Sequence, residues 1–346
     1  MNGSSWTSTE EARLELETWP DTRAVARSFY GAPLCPNPDE LNADVAFLGV
    51  PFDLGTGVPG ARFGPNSIRD TGVFPASVYS CSTPDGRMTA PGFYDIDSDR
   101  QWLEGVTMAD CGDVPIVPSD VERNFWRITR AVRSVVARRP VLVAVGGDHA
   151  ITPAVVRGLD SFGALDVVHF DAHHDFTDHT EGIRWMNGCP VRRVSEFPWV
   201  RNITQIGMRM TRSRVPIDEA RARGNRIITT DRFRELGPAA TIAQVPESDA
   251  LYVTIDIDIL DPTICPGTGA PEPGGLTYVE LRDALKALAK RCRVVAFDVV
   301  EVSPPLDVRG LTSKTASRLI VDFLAGIMDN RDVPADARVA AVAGGG

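Results

Sequence analysis

Basic runs, long hydrophobic runs and paired cysteines are all missing from this sequence, and each absence removes a class of protein. Net charge is −10 with no long block of Lys or Arg. That excludes the basic footprint needed by a nucleic-acid or anionic-membrane partner, and it suits a small cationic substrate. No apolar run approaches the length of a bilayer span. The opening stretch MNGSSWTSTEEARLELETWPD is acidic and has no hydrophobic signal core. The cysteines, at positions 35, 81, 111, 189, 265 and 292, never form the C-x-x-C spacing of a zinc or redox site. A cytoplasmic protein with reduced thiols is the expectation.

What the chain does contain is a repeated alternation of short apolar runs and helical stretches. Strands are predicted at 45–50, 141–145, 167–170, 203–206, 226–229, 251–255 and 294–297. Several are apolar on both faces, the pattern of parallel strands covered by helices on each side. Residues 124–138 and 278–290 carry apolar residues at helical spacing, the second after a Thr cap at 277. This alternation predicts one doubly wound α/β sheet in a single domain over residues 44–330. Residues 1–43 read as an extension whose Trp6, Trp19, Phe29 and Tyr30 dock at a subunit contact. Residues 331–346, ending VAAVAGGG, read as a frayed tail.

Ligands of such sheets bind at the carboxyl ends of the strands, and three unusual polar clusters fall there. They are Gly146-Gly147-Asp148-His149, Asp171-Ala172-His173-His174-Asp175 and Asp256-Ile257-Asp258. Extended backbone points alternate side chains to one side, so Asp171, His173 and Asp175 converge, as do Asp256 and Asp258. With His149 this makes a set of four carboxylates and two imidazoles. The set is too large and too rich in oxygen for one tetrahedral zinc. It suits two divalent ions such as Mn²⁺, while imidazole also suits Ni²⁺. Two ions about 3.5–4 Å apart can hold one hydroxide, formed at neutral pH because coordination lowers the water pKa to roughly 7.

These segments closely resemble the ureohydrolase family, which includes arginase and agmatinase. The resemblance rests on 49–69 (GVPFDLGTGVPGARFGPNSIR), 146–156 (GGDHAITPAVV), DAHHD at 171–175, 256–276 (DIDILDPTICPGTGAPEPGGL) and 298–307 (DVVEVSPPLD), the last two being agmatinase-like. It implies a three-layer α/β/α arginase-like fold with about eight mainly parallel strands. It also implies that His149, Asp171, Asp175 and Asp256 hold one ion while Asp171, His173, Asp256 and Asp258 hold the other. Asp175 then accepts a hydrogen bond from the bridging hydroxide, and Glu301 holds the substrate guanidinium. Trimers or hexamers are implied too, with a heteromeric partner subunit as a further possibility.

One departure bears on the substrate. Asn187 stands where the resemblance places a proton-relaying His, and an amide does not titrate. Leaving-group protonation then passes through solvent, a metal-bound group or another residue such as His179. The expected substrate is guanidine, an N-methylated guanidine or a biguanide, cleaved to urea or a urea derivative plus an amine. Agmatinase and guanidino-acid hydrolase are the alternatives, ahead of a non-catalytic partner subunit or a single-zinc deacetylase of related fold. His169 is read as a packed supporting group, His174 as loop support, and Cys189 and Cys265 as structural thiols without a paired base.

Overall fold

Alternate residues of the central strands feed two separate cores. In β1 (Val45–Val50), Val45 and Phe47 join one, whereas Ala46, Leu48 and Val50 join the other. The computed structural model describes residues 22–71, 81–82, 88–89, 92–209 and 213–331. Within them, the main sheet continues with β2 (Met108–Asp113), β3 (Val141–Gly146), β4 (Leu165–Phe170), β5 (Val200–Met208), β6 (Arg226–Thr229), β7 (Leu251–Asp256) and β8 (Val294–Val300). The order is β6-β5-β4-β7-β8-β3-β1-β2, with every neighbouring pair parallel. The five strands from β4 to β1 in that order are buried along their whole length.

Helices cover both faces. α1 (Gly64–Thr71) is followed by α2 (Val121–Val136), α3 (Thr152–Arg157), α4 (Pro190–Val194), α5 (Val215–Ala222), α6 (Thr230–Leu236), α7 (Pro238–Ile242), α8 (Tyr278–Arg291) and α9 (Leu311–Asp329). α8 presents Leu281, Leu285 and Leu288 to one core, and α2 presents Phe125, Ile128, Val132 and Val135 to the other. This is the expected three-layer arrangement. α8 starts where its Thr277 cap places it, in a reciprocal capping box with Glu280. α2 starts earlier than its apolar periodicity, because the Asp120 side chain accepts from Arg123 N–H at 3.0 Å. No helix of the described residues is long and apolar enough to cross a membrane.

Two short hairpins outside the main sheet, Cys81–Ser82 with Met88–Thr89 and Phe93–Asp95 with Arg100–Trp102, are missed in the sequence. Within the main sheet, strand β2, MADCGD, is the one missed. Its Asp110 and Asp113 hide the apolar pattern, and both turn out to bind Arg69 of α1, at 2.9 and 2.7 Å. The free edge of β2 is covered by the extension: Arg23 and Asp113 exchange backbone hydrogen bonds, and Cys35 N–H donates to Asp110 O at 2.8 Å. Phe29 packs on Phe47 at 5.2 Å beneath the Arg69 guanidinium. Tyr30 donates to Ser317 O of α9 at 2.9 Å. The described part of the extension therefore docks on its own domain. Trp6, Trp19 and the tail from 332 onward lie outside the described residues.

The Arg69 side chain is 1% exposed and that of Asp110 0%. Removing one member leaves an uncompensated buried charge. We expect Arg69→Ala to lower the unfolding free energy by about 3–5 kcal/mol in chemical denaturation. A loss below 1 kcal/mol would mean that the pair is no more than a surface contact.

Candidate active site

The site is assembled where the central strands end. Gly147 follows β3, and a Cβ there would lie 1.6 Å from the Phe52 carbonyl oxygen, so only glycine fits. Three backbone bonds stitch the exits of β1, β3 and β8 together: Gly147 N–H to Val50 O, Asp148 N–H to Phe52 O, and Glu301 N–H to Gly147 O. Buried Asp148 accepts from Gly55 N–H at 2.7 Å and Ala150 N–H at 3.0 Å, which starts the turn carrying His149. After β4, the Asp171 side chain takes the His173 amide. Ala172 N–H reaches Asp258 Oδ1 at 3.1 Å, joining the second cluster to the loop after β7. Asp175 and Glu301 both have positive φ, 48° and 63°. Left-handed backbone at such residues costs of order 1–3 kcal/mol and concentrates at functional sites.

Three carboxylate oxygens crowd one imidazole nitrogen. His149 Nδ1 lies 3.1 Å from Asp171 Oδ2, 3.0 Å from Asp175 Oδ2 and 3.2 Å from Asp256 Oδ2. A ring nitrogen has at most one proton to offer, and this one is buried without a hydrogen-bond partner. Ligand atoms around a common ion with bonds of about 2.1 Å are spaced by roughly 3.0–3.4 Å, which is the spacing found. A second set adjoins it: His173 Nδ1 lies 3.3 Å from Asp171 Oδ1 and 3.0 Å from Asp258 Oδ2. Asp171 thus offers one oxygen to each set. Asp256 gives Oδ2 to the first, while its Oδ1 accepts from Asp258 N–H at 2.9 Å.

The charge balance agrees with this geometry. Burial, reinforced by Asp258 and Asp171, pushes the Asp256 carboxyl well above its ordinary range. Burial and Asp171 push Asp258 up to about 6. Burial opposes charge on His173, but Asp171 and Asp258 push it up to about 12. His149 is likewise held well above its ordinary value by its three carboxylates, against the effect of burial. Against burial, His169, His149 and His173 hold the Asp171 carboxyl well below its ordinary range, so the cluster mixes raised and lowered acids and has more carboxylates than imidazoles. A divalent ion in each set would supply the missing positive charge.

Above the clusters opens a cavity of about 820 Å³. His173, Asp175, Asp256, Asp258 and Glu301 line its floor, with Asn187, His179 and Glu272 among the walls. Glu301 Oε1 accepts from His149 N–H at 2.9 Å and from Asn187 Nδ2 at 3.2 Å. Burial pushes its carboxyl up to about 7. His179 is exposed, with Nδ1 accepting from Gly182 N–H at 3.1 Å. All the residues expected at the site are therefore brought together around one cavity or directly beneath it.

His169 supports the floor from below, with Nε2 2.8 Å from Asp171 Oδ2 and Gln205 at its Nδ1. His174 holds its own loop through Phe176 N–H. Burial pushes the thiols of Cys189 and Cys265 up to about 11 and about 12, which leaves them inert. Three supporting residues were not singled out in the sequence. Thr254 contacts His149 Nε2 at 2.9 Å. Glu272 lies 3.6 Å from His173 Nε2. Arg209 binds the carbonyls of Asp258 and Glu272, each at 2.7 Å. Only Glu272 had a local signal, its place within the PGTGAPEPGGL stretch.

Comparison with known proteins gives the site its context. The arginase family matches over residues 43–326. A guanidinopropionase of Pseudomonas aeruginosa is 36% identical over 295 residues, covering 83% of this chain and 87% of the relative. The structure of proclavaminate amidino hydrolase from Streptomyces clavuligerus superposes with a TM-score of 0.72 at 31% identity, covering 89% of this chain and 99% of that one. Agmatine ureohydrolase of Thermoplasma volcanium gives 0.73 at 28% identity, covering 89% and 96%. With the strand-end clusters, these matches place the chain in the arginase family, as a hydrolase of the ureohydrolase type.

Proposed function

We propose that the chain hydrolyses a C–N bond of a small guanidine-type substrate at two divalent ions, releasing urea or a urea derivative and an amine. The observation that carries this reading is the crowding of three carboxylate oxygens around His149 Nδ1 beside the cavity floor at Glu301. His149, Asp171, Asp175 and Asp256 would hold one ion, with Asp171, His173 and Asp258 holding the other and Asp256 adjoining both. When bound, such ions lower the pKa of coordinated water to about 7 and so supply hydroxide at neutral pH. The family's centre is typically of manganese, and nickel is the proposed alternative.

The chain's own groups do the rest. Glu301 Oε1 is occupied by His149 N–H and Asn187 Nδ2, which leaves Oε2 to accept from a guanidinium. Donation by Nδ2 turns Asn187 Oδ1 into an acceptor for a second substrate N–H. The two together can fix a planar cation over the floor. His179 accepts through Nδ1 and so carries its proton on Nε2, where it can hydrogen-bond the departing amine while the attacking water supplies the amine's proton through solvent.

Substituent preference is read from the wall. Its outer carboxylates Asp178 and Glu219 are engaged by Arg193 and Arg192, at 2.5 and 2.9 Å. With these two engaged, Glu272 is the wall carboxylate left to meet a substituent, and a small substrate (guanidine, an N-methylated guanidine or a biguanide) is the reading proposed. The guanidinopropionase and proclavaminate amidino hydrolase matches favour a guanidino acid instead, and the agmatine ureohydrolase match favours agmatine. Assembly into a trimer or hexamer is proposed as well, to be checked by light scattering.

Metal analysis of active protein should find two Mn²⁺ or Ni²⁺ per chain; a single zinc would point to deacetylase-type chemistry. Asp171→Asn should lower metal content and reduce turnover by more than about 100-fold. Glu301→Gln should reduce kcat/KM by about 10–150-fold, the value of a charged hydrogen bond, with the metal content unchanged. A panel of guanidine, methylated guanidines, biguanides, agmatine, guanidinobutyrate and arginine, scored by urea and amine release, tests the substrate. Asn187→His should shift preference across that panel. Turnover of agmatine or guanidinobutyrate far above every small guanidine would overturn the small-substrate reading.

A further inference from the structure

Behind the metal-facing side of His149 runs a buried row of side chains that the proposed chemistry does not use. His149 Nε2 meets Thr254 Oγ1 at 2.9 Å, and Thr254 Oγ1 meets Thr152 Oγ1 at 3.4 Å. Thr152 Oγ1 meets Asp298 Oδ2 at 2.7 Å. Tyr252 donates its hydroxyl to the same Asp298 oxygen. All five residues are buried, and Asp298 Oδ1 has no partner. They come from the neighbouring strands β7 and β8, the turn after β3 and the start of α3, so the row exists only in the folded sheet.

Counting donors fixes its direction. An ionised carboxylate only accepts, so Thr152 must spend its single hydroxyl proton on Asp298. Between the two threonines, Thr254 must then donate. With that proton spent, the contact to His149 can form only if Nε2 carries hydrogen. The row therefore admits one neutral tautomer of His149, with Nε2 protonated and the Nδ1 lone pair turned toward Asp171, Asp175 and Asp256. We propose that Asp298, acting through Thr152 and Thr254, is a positioning group that sets the His149 tautomer and so the affinity of the site for its first ion. This rests on the reading of the clusters as a metal centre.

Mn²⁺ titration followed by electron paramagnetic resonance, with metal counted per chain, tests the inference on the whole protein. Thr254→Val keeps the shape and removes the hydroxyl. It should weaken one of the two Mn²⁺ sites by about 10–100-fold, whereas Thr254→Ser should bind as the wild type does. The thermal midpoint of chelated protein measures the cost of leaving the buried Nε2–H unpaired, so that loss of ion affinity is read separately from loss of fold. If Thr254→Val does not fold, Thr152→Val breaks the row one link further along and should give the same single-site loss. Equal weakening by Val and Ser at position 254, or unchanged affinity in the Val variants, would overturn the positioning role. A wild-type chain that binds no Mn²⁺ or Ni²⁺ would instead sink the metal reading, and this inference with it.

Discussion

Buried negative charge at the carboxyl edge of the sheet is the constraint around which this protein is organised. Asp171, Asp175, Asp256, Asp258 and Glu301 are all buried, with three imidazoles, His149, His169 and His173, beside them. Taking carboxylates out of water costs several kcal/mol each unless cations or protons compensate. An all-parallel sheet puts every strand's carboxyl end on one edge, so the acids that follow β4 and β7 lie side by side. His149 arrives after β3 and Glu301 after β8, which completes a run of four adjacent strands. The left-handed backbone at Asp175 and Glu301, and the glycine at 147, are what the chain accepts to aim these groups inward.

Rigidity follows from the same placement. The strands that carry the acids are buried over their full length and gripped by cores on both faces. The floor therefore cannot relax by letting its charges separate. Arg209 adds to this by binding the carbonyls of Asp258, Ile259 and Glu272, which ties the loop after β7 to the exit of β5. With the acids fixed close together, neutralisation has to come from ions of the right charge and size. That is a selective requirement, imposed by the scaffold rather than by any single ligand.

The sequence made legible whatever is written in local spacing. Fully buried strands show as unbroken apolar runs, and candidate metal ligands show as i, i+2 acids and imidazoles at their ends. What escaped depends on juxtaposition. Strand β2 looked polar because Asp110 and Asp113 serve Arg69, some 40 residues earlier in the chain. The extension looked like an arm because nothing local says that Phe29 meets Phe47. Thr254 and Asp298 lie in strands whose residues alternate between two cores, and either could pass for an ordinary packed polar residue until the fold brings Thr152 between them. Strand order was equally hidden, since pairing partners are fixed by helix packing across the faces.

Floor and wall are consequently built to different standards. The floor stands on strand ends, whereas Asn187, His179 and Glu272 stand on loops, where side chains can change without disturbing the sheet. Asn187 is the exception among the wall residues, because its backbone N–H is tied to Gly55 O and its side chain to Glu301. An imidazole at this position would bring a titratable group to Glu301. The amide brings a fixed donor on one side and a fixed acceptor on the other, at any pH. It therefore trades proton transfer for orientation. On the proposed reading, a site that orients a guanidinium through Glu301 Oε2 and the Asn187 carbonyl would need little from the substrate's tail, and the tail is the part that the loops would be left to select.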